Sequence, residues 1–270
     1  MITTDRIYES AEVASVQNTL PIILCGGKGS RLSEMTNHVN KPLIDIGGAP
    51  IVLHVAYRYW VAGFRKIALA AGWQFDAFNT VFTDYLARLK DHPLFGPMLA
   101  ETEFLVLDTG PESDTFERIV KTKDTINSAY YFVTYGDTIT DIDCASFLDE
   151  FNQKQVTESV LMMSAVQPEK RFSSIEFNND LRVTRFTEKQ GREPNWVGCG
   201  FIILLHDHIE ANQNFTSFER EFLPHMTSCG QVYLFQHMGL WQPMDYLIDV
   251  KNIQRIYDDA LHSGRPQWLQ

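Results

Sequence analysis

Cysteine is scarce and unpatterned in this chain. Its 4 cysteines, Cys25, Cys144, Cys199 and Cys229, include no C-x-x-C pair. That argues against a structural zinc site and, in a chain of this size, against a disulfide framework, so buried, reduced thiols in a cytoplasmic protein are expected. Long apolar runs are missing too: the longest are about strand length, far short of the roughly 20 residues of a membrane helix. No membrane partner is expected. Residues 1–19 carry Asp5, Glu9 and Glu12 but no apolar core, which is not the pattern of a secretion signal. Basic residues are in deficit, and the formal net charge is −11. Phosphate backbones select basic surfaces, so nucleic acid is an unexpected partner, although a few converging Lys and Arg can still bind a small anion. Internal repeats and low-complexity linkers are absent as well.

What remains is a chain with ample material for a core: 44% hydrophobic residues, including 18 Phe, 10 Tyr and 5 Trp. Ile22 to Cys25 is a continuous apolar run, as in a central strand buried on both faces. It leads directly into Gly26-Gly27-Lys28-Gly29-Ser30-Arg31. Pro50 opens a predicted helix that stops at Gly63. Strands are predicted at 66–71, 104–107 and 130–134, with helices at 74–90 and 115–127 between them. This alternation implies right-handed βαβ crossovers and a mostly parallel sheet. From 158 onward the pattern changes to short strand-like pieces at 159–166, 174–178, 181–187 and 198–205. A helix at 217–228, a strand at 231–236 and a helix from Asp245 to Ser263 follow. The expected organisation is an extension over 1–19 and one domain over 20–270 in two parts, about 20–157 and about 158–270.

Ligands of such sheets gather at the carboxyl ends of the strands. Both the glycine segment and Gly136-Asp137 fall at predicted strand ends, so they are expected to share one crevice. Glycines there let backbone N–H groups approach a phosphate, Ser30 adds a hydroxyl donor and Arg31 a planar fork. Lys41 supplies a second cation. The segment has neither the Walker nor the dinucleotide-fingerprint spacing. Asp137, after an apolar strand, suits Mg²⁺, which takes one or two carboxylates plus phosphate oxygens. Asp141 and Asp143 fit a loop or capping role better, Asp143 just before a helix from Cys144. Asp245 precedes a helix, and on the residues alone an N-cap and a metal ligand are equally open. His206 and His208 alternate as on a strand face, but without a third ligand nearby they read as surface or capping residues. Tyr57, Tyr59 and Trp60 read as core or subunit contact. No convincing Ser/His/Asp or Cys/His set is present.

The stretch Ile23–Pro50, ILCGGKGSRLSEMTNHVNKPLIDIGGAP, resembles the signature of the sugar-phosphate nucleotidylyltransferases. Asp108-Thr109-Gly110, TYGDTITDID at 134–143, Arg171-Phe172, Glu188-Lys189, GLWQPMD at 239–245 and SGRPQW at 263–268 are similar to its glucose-1-phosphate cytidylyltransferase branch. The resemblance runs from about residue 20 to the end. It implies a GT-A-like Rossmann fold of the α/β class, with a mixed, mostly parallel central sheet flanked by helices. It further implies Mg²⁺-dependent transfer of CMP from CTP to a phosphorylated small-molecule acceptor, with pyrophosphate leaving, by a homo-oligomer. By position, Leu24, Gly26, Gly27, Gly29, Ser30, Arg31, Asp108, Thr109 and Gly136 would hold the nucleotide. Lys41 would sit near the α-phosphate, and Arg31, Lys41, Asp137 and Asp245 would carry catalysis. Asp137 and Asp245 would bind the metal, and Lys189 the acceptor phosphate, beside Arg171, Gly198, Phe116 and Glu117.

The resemblance assigns nucleotide binding to about 20–157 and acceptor binding to about 158–270, and the departures cluster where the family recognises the sugar. The family's Thr-Gly-Gly-Arg is Thr115-Phe116-Glu117-Arg118, and its Arg-Phe-Gly is Arg171-Phe172-Ser173. Its Glu-Lys-Pro is Glu188-Lys189-Gln190, and its Asn-Gly-Gly-Phe is Gly198-Cys199-Gly200-Phe201. Losing an amide that hydrogen-bonds a sugar hydroxyl discriminates against the old ligand. The expectation is therefore an intact triphosphate half and an acceptor other than ordinary glucose 1-phosphate. UTP or dTTP as donor, or a non-catalytic nucleotide-binding regulator, are the competing expectations.

Overall fold

In the computed structural model, residues 13–29, 40–155, 160–170, 172–188, 191–264 and 266–270 are described. The chain opens with β1 (Thr19–Leu24), followed by the short hairpin β2 (Asp45–Ile46) and β3 (Ala49–Pro50), then α1 (Ile51–Val61). There follow β4 (Lys66–Ala71), α2 (Phe75–Leu89), α3 (Gly96–Glu101), β5 (Glu103–Asp108), α4 (Thr115–Thr125) and β6 (Tyr130–Tyr135). Next come β7 (Thr138–Thr140), α5 (Cys144–Gln155), β8 (Leu161–Val166), β9 (Ser174–Phe177), β10 (Val183–Thr187) and β11 (Val197–Leu205). The chain closes with α6 (His206–Glu210), a single π-turn at 218–222, α7 (Leu223–Ser228), β12 (Val232–His237), β13 (Trp241–Pro243) and α8 (Leu247–Ser263).

Seven strands form one sheet in the order β12-β8-β11-β6-β1-β4-β5. β1 pairs in parallel with β4 and β6, β4 with β5, and β8 with β12, while β11 runs antiparallel to both β6 and β8. The sheet is thus mixed but mostly parallel, as expected, and β1 lies near its centre. Every residue of β1 is buried. Its side chains divide between two cores, because successive residues of a strand point to opposite faces. Ile23 packs with Tyr59, Phe132 and Phe201 on the α1 side. Leu20, Ile22 and Leu24 pack with Phe116, Phe218 and Phe222 on the α4 side. That double burial is why β1 reads as an unbroken apolar run.

Helix boundaries follow local chemistry. Pro50 caps α1 in extended backbone, and Gly63, at φ +98°, ends it in the left-handed conformation that favours glycine. Asp114 and Glu117 form a reciprocal capping box at the start of α4. Asp143 caps α5, accepting from the backbone N–H of Ala145 and Ser146 at 3.0 and 3.1 Å.

β9 and β10 form a two-stranded hairpin separate from the main sheet, and β7 pairs with β13 in another. Three features differ from the sequence reading. α8 begins at Leu247, where Tyr246 is the capping residue and Asp249 accepts from the backbone N–H of Asp245 and Tyr246. Asp245 is therefore not the N-cap. His206 and His208 lie on α6, one short helical turn, so strand alternation does not apply to them. Cys25, Cys144 and Cys199 are buried free thiols as expected, but Cys229 is exposed. Tyr57 and Tyr59 are core residues. No helix among the described residues is long and apolar enough to cross a membrane.

Candidate active site

The carboxyl ends of β1 and β6 open onto a cleft of about 480 Å³. Its floor is Leu24, Cys25, Gly26, Gly27 and Gly29. Backbone bonds tie this loop to the sheet: Cys25 N–H donates to Ala70 O at 2.9 Å, and Gly136 N–H donates to Leu24 O at 3.1 Å. Gly136 itself lies off the lining, between Tyr135 and Asp137, and a Cβ there would come within 3.0 Å of Cys25 Sγ.

Lys41, Asp137 and Asp245 converge in this cleft from three separate segments. Lys41 opens a 3-10 turn before β2, Asp137 follows β6, and Asp245 follows β13. The Lys41 ammonium donates to Asp137 Oδ2 at 2.6 Å and to Asp245 Oδ1 at 3.0 Å. Its side chain is only 12% exposed, against 29% and 33% for the two carboxylates. Burial pulls the Lys41 amine down, but Asp137 and then Asp245 more than offset this and raise it above its ordinary value. The group is a cation throughout the neutral range. β7 and β13 bring the acids together: Pro243 pairs with Thr138, and Met244 N–H donates to Asp137 O at 3.0 Å.

The far wall comes from Ser113, Asp114, Thr115 and Arg118, with Tyr135 opposite. Arg118 is nearly buried, and its guanidinium serves as a clamp. Nη1 donates to Thr109 Oγ1 at 2.6 Å and Gly110 O at 3.0 Å, and Nη2 donates to Gly26 O at 3.0 Å. The planar fork thus locks the glycine loop to the loop after β5. A Cβ at Gly26 or Gly72 would run into this guanidinium, which is why both positions lack a side chain. Burial lowers the Arg118 pKa, opposed by nearby acids. Tyr135 donates its hydroxyl to Glu219, which also accepts from Thr115 Oγ1 at 2.7 Å. Burial first, and the Glu219 charge second, push the phenol well above its ordinary range, so it remains a neutral donor.

Of the residues singled out from sequence, Leu24, Gly26, Gly27, Gly29, Lys41, Asp137 and Asp245 line one cleft. Ser30, Arg31, Arg171 and Lys189 lie outside the described residues. Asp108 and Thr109 are not part of the lining. Asp108 accepts from Gly110 N–H at 2.9 Å, and Thr109 is buried against Ala71 O and Arg118. Phe116 is fully buried, stacked on Phe222 at 4.4 Å and Phe218 at 6.0 Å on the side of α4 turned from the cleft. Glu117 is engaged in the α4 cap. Neither Phe116 nor Glu117 lines the cleft. Gly198 is exposed at the start of β11, where the strand bulges. Arg118, Tyr135 and Asp114 were missed. The available signal was an arginine within the apolar stripe of an amphipathic helix, a place where a charge needs several partners.

The family described as Nucleotidyl transferase matches residues 20–242. The chain is 28% identical to the glucose-1-phosphate cytidylyltransferase of Salmonella typhimurium over 92% of its own length and 97% of that protein. It is 26% identical to mannose-1-phosphate guanyltransferase beta-A of Xenopus laevis, covering 92% of this chain and 67% of that one. Among solved structures, UDP-glucose pyrophosphorylase complexed with UDP-glucose superposes with a TM-score of 0.67 at 14% identity, over 90% of this chain and 99% of the other. This is the same fold. With a glycine loop, a half-buried lysine and two carboxylates meeting where the strands end, and with the family match spanning most of the chain, the protein is a nucleotidyltransferase of the nucleotidyl transferase family.

Proposed function

We propose that the protein transfers CMP from CTP to a small phosphorylated acceptor, a sugar 1-phosphate or a close relative, and releases pyrophosphate. The observation that carries this reading is the shared cleft in which Lys41, Asp137 and Asp245 face the glycine loop. Similarity to glucose-1-phosphate cytidylyltransferases over nearly their full length supports the choice of nucleotide.

An acceptor phosphate oxygen attacks the α-phosphorus, a P–O bond forms, and the bond to pyrophosphate breaks in line with it. The reactants are both anions, so charge neutralisation and alignment are the protein's main tasks. Backbone N–H groups of the glycine loop cradle the triphosphate, and the Arg118 clamp holds that loop in place. Lys41 supplies a fixed positive charge beside the reacting phosphates. Arg31 and Ser30 contribute phosphate donors, and Lys189 and Arg171 meet the acceptor phosphate. No protein nucleophile is needed, because a phosphate monoester is itself competent near neutral pH.

The carboxylates fit Mg²⁺: both are hard oxygen donors, and both already reach one shared cation, the Lys41 ammonium. Asp137 and Asp245 would hold the ion, which when bound would offset negative charge on the phosphates. Three of the four sequence departures, at 171–173, 188–190 and 198–201, lie in the acceptor part, from about residue 158. Gly198 offers no side-chain amide where the family has Asn, which favours an acceptor other than ordinary glucose 1-phosphate. The apolar, exposed face of the β9–β10 hairpin supports a homo-oligomer. A cytoplasmic setting, where nucleotides and sugar phosphates are available, completes the reading.

Pyrophosphate release with Mg²⁺ and glucose 1-phosphate, offering CTP, UTP, dTTP, ATP and GTP separately, tests it. Release with CTP alone supports the nucleotide and would overturn the argument against glucose 1-phosphate. Release with another triphosphate alone would replace CTP. No release with any, from protein that binds CTP, calls for a panel of modified sugar phosphates.

A further inference from the structure

β7 and β13 form a ribbon of two three-residue strands that is not part of the main sheet. Asp137 and Asp245 stand at its open end. Two strands alone are marginally stable, and a slip of one residue would move a side chain by roughly 3.3 Å and to the opposite face. The two acids therefore need a second fixed point, and the closed end supplies one.

Asp141, directly after β7, accepts from the backbone N–H of Leu240 at 2.6 Å and lies 3.1 Å from His237 Nε2 through the same Oδ1. Its Oδ2 accepts from Gln267. His237 Nε2 also faces Leu240 O at 2.9 Å and Thr140 Oγ1 at 3.2 Å. With acceptors on all three sides, that nitrogen carries the hydrogen. Thr140 Oγ1 in turn donates to Leu240 O at 2.8 Å. From outside, Arg192 Nη2 donates to Met238 O and Gly239 O, each at 2.9 Å. The turn 238–240 is thus gripped from both sides. Gly239 belongs to the same device. Its φ is not in the left-handed region, so conformational freedom does not explain it, but a Cβ there would lie 2.8 Å from both Asp141 Cγ and Oδ2. Burial raises the Asp141 carboxyl, but the hydrogen bonds from His237 and the backbone more than compensate and hold it below its ordinary value.

We infer that Asp141 is a positioning residue for the two-carboxylate centre, fixing the register of β13 on β7 so that Asp245 meets Asp137. This rests on the proposed role of Asp137 and Asp245 as metal ligands. Asp141 touches neither acid; it acts through the ribbon. Outer residues that orient metal ligands typically matter by about 10–100-fold in affinity or activity.

The test is Mn²⁺ affinity of the full-length protein in the presence of CTP, read by electron paramagnetic resonance, alongside kcat, KM and the melting temperature without metal. Asp141→Ala is expected to weaken Mn²⁺ by about tenfold or more and to lower kcat similarly, with the CTP KM within about threefold. Gly239→Ala, which crowds the same carboxylate without removing it, is expected to do the same more mildly, and it stands in if Asp141→Ala does not fold. Asp137→Asn and Asp245→Asn are measured beside them. If those two weaken Mn²⁺ while both Asp141→Ala and Gly239→Ala bind it like the unaltered protein and lose only melting temperature, Asp141 is merely structural and the inference falls. If Asp137→Asn and Asp245→Asn leave Mn²⁺ binding intact, the metal reading itself fails and takes the inference with it.

Discussion

The cleft side of the sheet and the β9–β10 hairpin treat apolar residues in opposite ways. β1, β4 and β6 bury theirs on both faces, and the glycine loop and Asp137 leave the sheet from that packed base. On the hairpin, Ile175, Phe177, Val183 and Phe186 pair across the strands on one face, and all remain exposed, Phe177 by 62% and Phe186 by 65%. Charges pair across the other face, Arg185 with Glu176. Chemistry that tolerates little movement is thus built on the part of the chain whose burial over-determines it. The hairpin has no such anchoring among the described residues, and its apolar face is suited to being covered from outside.

This contrast can be broken by experiment. In the cleft, Asp137→Asn is expected to cut turnover by about a thousandfold or more while nucleotide binding falls much less; comparable kcat in the variant would remove Asp137 from the reaction. In the supporting core, Trp268 is 1% exposed and packs near His54 and Tyr257. Trp268→Ala should cost roughly 3–5 kcal/mol in denaturant unfolding. A third test uses pH. His54 Nδ1 accepts from Trp268 Nε1 at 3.1 Å and its Nε2 faces Ile46 O at 2.9 Å, which fixes a neutral ring. Burial lowers its pKa from 6.5 to about 4. Between those values the unfolded chain binds the proton and the folded chain does not, so stability falls as pH drops from about 6.5 to about 4. The expected loss from this group is about 3 kcal/mol, and denaturant midpoints at pH 7 and pH 5 should converge in a His54→Gln variant relative to the parent. On the hairpin, Phe177→Thr should change the unfolding free energy of the single chain by no more than about 0.5 kcal/mol but weaken self-association in sedimentation experiments. A large loss of monomer stability there would erase the contrast.

What could be read from the sequence follows the same division. The sheet strands were legible because runs such as Ile22–Cys25 and Tyr130–Thr134 are apolar on both faces, and the convergence of Gly26, Gly27 and Asp137 followed from strand ends. β7 and β13 were not legible, since three residues give no periodicity and their pairing depends on distant partners. Lys41 was expected near phosphate, but that it bridges Asp137 and Asp245 is a matter of tertiary geometry. Phe116 was misleading for a similar reason: its place in a motif suggested the acceptor side, whereas the helical period turns it to the core against Phe222. The clamp formed by Arg118 was less legible: an arginine in the apolar stripe of a helix signals buried partners, but those partners, Thr109 and the carbonyls of Gly26 and Gly110, are brought to it only by the fold.

The strand order also constrains how the chain can assemble. The four parallel strands β1, β4, β5 and β6 precede the rest of the sheet in the chain, and by themselves they end in β6, with its sequence YYFVTY, as an edge. β8 comes next in the chain but cannot seal that edge, because β11 lies between them. β11, running in the reverse direction, pairs with β6 on one side and β8 on the other, and so covers an apolar, aromatic edge of the kind that recruits other chains when open. One antiparallel strand therefore joins the four-strand block to the β8–β12 pair, and a variant that weakens β11 is expected to expose both at once.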